Sequence, residues 1–245
     1  LGRGRLADEL ITSELARRGV RATYEVEALG SEGQVLRNVV IGDPARPDAT
    51  VERLVVALDG EITLIRPRLY GTWKDGKPSF GALDPLIYTG SAEPAALPDL
   101  AVRLVDGRAR LETPWGVAGL KGEGQGNLSG GFAGMLAASV PQVAMQGCTG
   151  EGATLYGKVS TAAGRARIAG PLRLAKLACP QGRLADAAIG LDVRLDRHFD
   201  GAEGRFSLAS GAVEAGSARL AGMGGKGRLT WRAGALTLGY ELTGT

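Results

Sequence analysis

Apolar and polar residues alternate with a period of two along most of this chain, and only its first twenty residues follow a helical period. Between Arg3 and Val20, Leu6, Leu10, Ile11 and Leu15 fall at helical spacing opposite Asp8, Glu9, Glu14 and Arg17, and Gly19 stands where a C-terminal cap is wanted. The spacing predicts one amphipathic helix over 1–20. From Thr23 the rhythm changes: Tyr24, Val26 and Ala28 take one side, Glu25 and Glu27 the other. Val35 to Ile41 and Val51 to Leu58 read as further strands, separated by a loop over Gly42 to Asp48. Asp59-Gly60 followed by Ile62 and Leu64 is a strong hairpin signal.

The stretch Leu64 to Ile87, LIRPRLYGTWKDGKPSFGALDPLI, concentrates prolines and charges. As sheet it predicts an outgoing strand to Arg66, a break at Pro67 where a ladder N–H is dispensable, and a continuation through Leu69 and Tyr70. A turn over Lys74 to Lys77 and a return strand over Ser79 to Leu83 complete it. Pro94 to Pro98 is the expected seam, dividing a β-module over 21–93 from a repetitive β-segment over 99–245.

From Leu100 on, alternation is regular. Val102 and Leu104 are followed by an expected turn at Asp106-Gly107 and a return through Ala109 and Leu111. Leu155 and Val159 alternate with Tyr156 and Lys158, and Ile189, Leu191, Val193 and Leu195 with Asp192, Arg194 and Asp196. Leu236, Leu238, Tyr240 and Leu242 alternate with Thr237, Gly239 and Glu241. Turn signals separate these runs. The pattern predicts an all-β protein: one short helix, then an elongated antiparallel meander with one apolar and one wet face. In Lys121 to Asn127 polar residues face Gly122, Gly124 and Gly126, so that strand either leaves room for a neighbour or is an irregular glycine loop.

Composition sharpens this. Glycine supplies 39 of 245 residues without a collagen period, which suits short strands and tight turns better than helices. Aromatic residues are 5%, too few for a single-strand nucleic-acid platform, and the charges are interspersed, netting +3. No run of 18 apolar residues occurs. The chain opens on Leu1-Gly2-Arg3 and closes on Leu242-Thr243-Gly244-Thr245, and we expect it to be part of a longer one.

Candidate chemistry is sparse. Gly222 to Gly227 satisfies G-x-G-x-x-G, but an alternating strand follows where a nucleotide fold requires a helix. His198 is the single histidine and sits in a turn context, no Gly-x-Ser-x-Gly elbow exists, and one His with two Cys is too few for a closed zinc site. Asp192 and Asp196 read as a solvent-facing pair, and Asn127-Leu128-Ser129 fits a glycosylation sequon. Neither catalytic residues, metal nor cofactor is expected. Cys148 and Cys179 can pair in an oxidising compartment or remain two small buried apolar side chains.

The stretch from Ile62 to Leu86, together with Leu6 to Leu58, resembles AsmA-like envelope proteins, and within them the YdbH-like branch of intermembrane phospholipid transport proteins, whose relatives include dicarboxylate-transport-domain proteins. The resemblance is good over 5–90 and diffuse afterwards. It implies a taco-like β-groove in the periplasm of a Gram-negative bacterium, tied to the inner membrane by an anchor outside this chain. It further implies lipid traffic toward the outer membrane, with an outer-membrane partner protein and no nucleic acid. Val102, Leu104, Leu155, Val159, Ile189, Leu191, Val193, Leu195, Leu236, Leu238, Tyr240 and Leu242 would then face phospholipid acyl chains. A periplasmic location favours a Cys148–Cys179 disulfide. The alternative is a TamB-like assembly module for outer-membrane proteins, binding by strand edges. A third reading, an enzyme, lacks the paired carboxylates it needs.

Overall fold

The structure, a computed structural model, describes residues 19–30, 33–74, 77–87, 96–145, 147–232 and 235–244. The helix expected over 1–20 and the start of the expected seam lie outside those residues, apart from Gly19 and Val20. Seventeen strands form one sheet. The first six are β1 (Ala22–Gly30), β2 (Gly33–Asp43), β3 (Arg46–Ala57), β4 (Ile62–Ile65), β5 (Arg68–Lys74) and β6 (Lys77–Ser79). Six long strands follow: β7 (Ala101–Thr113), β8 (Gly116–Asn127), β9 (Ala133–Met145), β10 (Cys148–Ala162), β11 (Arg165–Cys179) and β12 (Gly182–Leu195). The last are β13 (Gly201–Ser210), β14 (Val213–Ala215), β15 (Ala218–Leu220), β16 (Met223–Arg232) and β17 (Ala235–Gly244).

Each long strand pairs with its sequence neighbour through a tight hairpin, as the turn signals predict. Two contacts break that rule. β4 and β5 both lie parallel to β7, so the sheet is mixed, and it runs continuously across the expected seam. Parallel neighbours need a crossover connection, which a hairpin cannot supply.

The Asp106-Gly107 turn does not form. β7 passes straight through these residues, and Asp106, at φ 47°, makes a bulge in the register with β8. Arg66, at φ 50°, makes the matching break between β4 and β5 on the facing strand. Its N–H donates to Val105 O at 2.9 Å, and the Arg108 N–H donates to Pro67 O at 2.9 Å. Pro67 is buried between β3 and β7, at an interior bulge where its missing N–H costs nothing.

The return strand expected over Ser79 to Leu83 stops at Ser79. A 3₁₀ turn over Gly81–Leu83 and a helical turn over Asp84–Ile87 replace it. Side chains explain the switch. Asp84 accepts the Phe80 N–H at 2.6 Å and the Ser79 hydroxyl at 2.5 Å, while Asp48 accepts the Ala82 N–H at 3.0 Å. Those carboxylates offer the backbone an alternative to the ladder. Within this stretch Asp84 is thus spent on capping, and Arg66 on an ion pair with Glu52. The Lys74 to Lys77 turn is flanked by a Lys74–Lys77 pairing, and residues 75–76 lie outside the described ones.

Among the described residues a compact core cluster lies early: Leu36, Val39 and Val51, packed by Tyr24, Ile41, Leu54 and Leu64. Total accessible surface is 15356 Å², whereas a compact protein of 25.3 kDa exposes roughly 10,300 Å².

Candidate functional site

Residues directly opposite on neighbouring strands point to the same face. Followed through the pairings, this rule turns separate alternations into rows. One row crosses thirteen strands: Val26, Leu36, Leu54, Leu64, Leu104, Gly124, Gly134, Val159, Ile168, Val193, Gly204, Leu229 and Leu238. Beside it, Ala109, Leu120, Ala138, Leu155, Leu172, Ile189, Leu208, Gly225 and Leu242 cross nine. Neither row contains a charged or hydrogen-bonding side chain.

All twelve residues expected to line an apolar face share this one. Leu191 stands opposite Phe206, which stands opposite Gly227 and then Tyr240; Leu195 leads through Ala202 and Trp231 to Leu236; Val102 sits between Ile62 and Gly126. Sequence reading missed Ile168, Leu172 and Leu174, because Pro171 discourages a central-strand assignment for β11. The signal was present in RARIAGPLRL, where Ile168, Leu172 and Leu174 keep parity against Arg167 and Arg173.

The glycines shape the face. At Gly124 a Cβ would come within 2.6 Å of Phe132 Cζ, so the empty position accommodates an aromatic ring. Gly227 does the same for Phe206, whose Cζ lies 2.6 Å from where a Cβ would be. The Gly122–Gly126 run is therefore regular strand within β8, and the G-x-G-x-x-G run leads into β16, where Gly225 and Gly227 make room for Leu242 and Phe206.

Exposure varies across this face. Leu36 is 1% exposed and Val102 8%, whereas Leu238 is 47% and Tyr240 61% exposed on the edge strand β17. The face is closed over β2 and β3 and open toward β17. At the far ends of β10 and β11 the alternation slips at Gly152 (φ 67°) and Ala175, so that Leu177 and Leu184 pair in the apolar phase beyond the kink. There Cys148 and Cys179, directly opposed with a Cα–Cα distance of 4.2 Å, form a disulfide at the open end of the hairpin.

The opposite face carries the charge. Arg53 meets Glu27 at 3.0 Å, Arg66 meets Glu52 at 2.8 Å, and Arg167 holds Asp192 with two bonds of 2.6 and 2.8 Å. The hydrogen bond from Arg167 holds the Asp192 carboxyl below the usual aspartate value, with Arg205 and Arg194 adding to the effect. Asp196 accepts the Phe199 backbone N–H through its own carbonyl within the β12–β13 turn. Asn127 of the sequon donates to Asp99 at 2.6 Å.

Among the described residues no group of three His, Cys, Asp or Glu could hold a metal, and no helix is long and apolar enough to cross a membrane. What the arrangement offers is extended apolar contact with polar walls behind it. No curated protein and no solved structure matches the chain. A family model does, over residues 1–245, and the chain belongs to that family, the YdbH-like proteins described as intermembrane phospholipid transport protein YdbH, a lipid-transport family rather than an enzyme family.

Proposed function

We propose that the apolar face is a bridge-like groove along which phospholipid acyl chains pass between the inner and outer membranes. In this reading the chain is a periplasmic segment tethered to the inner membrane and works with an outer-membrane partner. One observation carries the reading: an unbroken apolar row crosses thirteen strands and, closed over β2 and β3, lies open toward β17, where Leu238 is 47% exposed. A sheet face of this kind needs another layer or a ligand. Acyl chains suit it because each buried CH₂ contributes about 0.8 kcal/mol wherever it lies along the row, so movement from rung to rung meets no specific site. The family's link to phospholipid transport names the same cargo.

The test is native mass spectrometry of the purified chain, combined with photocrosslinking from positions 191 and 238. Co-purifying phospholipid and acyl-chain crosslinks are expected, and Leu191→Asp should lower lipid loading severalfold. A lipid-free protein without crosslinks refutes the groove. Crosslinks to nascent barrel proteins instead would support the assembly role through strand edges.

A further inference from the structure

On the polar face, two pairs of arginines stand directly opposite each other: Arg167 against Arg194, and Arg205 against Arg228. Like charges in that position destabilise a sheet. Asp192 braces Arg167 from the neighbouring strand. Arg165 and Arg194 form no ion pair among the described residues. A cleft of about 530 Å³ lies here, and all its charged lining residues are arginines: Arg165, Arg167, Arg194 and Arg197. Arg197 is steered into place by its Nε–H, which donates to Ala163 O at 2.9 Å, and Ser160 adds a hydroxyl to the lining. A second cleft of about 530 Å³ shares Arg167 and Arg194 and adds Arg205 and Arg228 beside Asp192 and Glu203. Across both, six arginines face two carboxylates.

The site sits at the strand ends. Ala163-Gly164 turns β10 into β11, and residues 196–200 turn β12 into β13. Leu195, Ala202, Trp231 and Leu236 carry the apolar face to that same rim, so a lipid whose polar end emerges there need only turn over the sheet edge to meet the arginines on the other face. A planar guanidinium matches phosphate oxygens two at a time, and an anion between opposed arginines relieves their repulsion.

We infer that the Arg165–Arg167–Arg194–Arg197 cleft is an anion site that receives the phosphate of a phospholipid headgroup. The inference rests on the groove reading and names what holds the polar end of the same cargo.

The experiment is calorimetric titration of the full chain, at low salt, with monomeric dihexanoylphosphatidylglycerol and separately with glycerol 3-phosphate. The variant Arg165→Ala/Arg194→Ala should weaken the short-chain lipid roughly 25-fold, about fivefold per arginine. Arg173→Ala, on the same face outside the cleft, should change it less than twofold. Glycerol 3-phosphate should compete but bind at least tenfold more weakly than the lipid. A double variant within twofold of wild type overturns the site, as does an equal loss in Arg173→Ala. Glycerol 3-phosphate binding as tightly as the lipid overturns the headgroup assignment in favour of a free phosphate ester. Leu191→Asp should leave glycerol 3-phosphate binding intact, so failure of the groove and failure of the anion site are read separately.

Discussion

Replacing Cys148 and Cys179 by serine removes a crosslink whose contribution can be worked from its position. The two residues close a loop with a sequence separation of 31 at the open end of a hairpin whose turn is Ala163-Gly164. For a loop of that size the chain-entropy model gives about 3.7 kcal/mol of stabilisation at 25 °C. The placement uses most of the hairpin's length, because a bridge nearer the turn would close a smaller loop and constrain the unfolded chain less. With a urea dependence of roughly 2–3 kcal/mol/M, the double serine variant should unfold about 1–2 M earlier than oxidised wild type. Reduced wild type should coincide with the variant. The assay is urea unfolding followed by far-UV circular dichroism, with alkylation mass spectrometry before and after reduction. Two alkylated thiols in unreduced protein, or coincident midpoints for oxidised and reduced chains, would refute the reasoning.

Three further outcomes follow from local geometry. Gly124→Val drives a side chain into the Phe132 ring and should cost roughly 1–3 kcal/mol, while Phe132→Ala should cost about 2 kcal/mol. Combined, the two should cost less than their sum in a thermal-melt cycle, because the ring's share of the clash disappears, while the approach to Ala133 O at 2.7 Å and Gly134 Cα at 2.8 Å remains. Asp84→Ala frees the Phe80 N–H and the Ser79 hydroxyl and should cost about 1–2 kcal/mol, read as faster hydrogen exchange at Phe80. The Asp192 carboxyl, held low first by the Arg167 hydrogen bond, is favoured in its charged form by the fold. Its stabilisation is therefore complete above the ordinary aspartate value of 3.8 and is lost as pH falls through the depressed folded value. The stability difference between wild type and Asp192→Asn should stay level from neutral pH down to about 4 and vanish in stronger acid, and an unchanged difference there would contradict it.

Most of the fold was legible because a two-residue period leaves no choice of face. Once Ile189, Leu191, Val193 and Leu195 alternate against Asp192 and Arg194, only their common exposure to one side remains possible. The misreadings share a cause. Asp106-Gly107 has the composition of a turn, yet a single residue with positive φ serves a bulge equally well, and only the neighbouring β4–β5 break decides between them. Ser79 to Leu83 alternates acceptably, but Asp48, more than thirty residues upstream, claims the backbone that a ladder would have used. The parallel β4–β7 and β5–β7 contacts carry no local signal, since both partners are ordinary strands whose crossover is invisible in periodicity. The opposed arginines escaped for a related reason. Arg167, Arg194, Arg205 and Arg228 look like scattered surface charge until register places them side by side.

The thirteen-strand row has a metric consequence. Its members are separated by the ladder spacing, about 4.8 Å per strand, so twelve steps span roughly 58 Å. The molecule's reach is thereby counted in hairpins, each worth about 10 Å, while the width of the lane is set separately by strand length. Gaining or losing a whole hairpin would change the span while every remaining rung kept its partner. Insertion of one residue inside a strand would do the opposite, leaving the span unchanged and turning the rest of that rung's apolar residues outward.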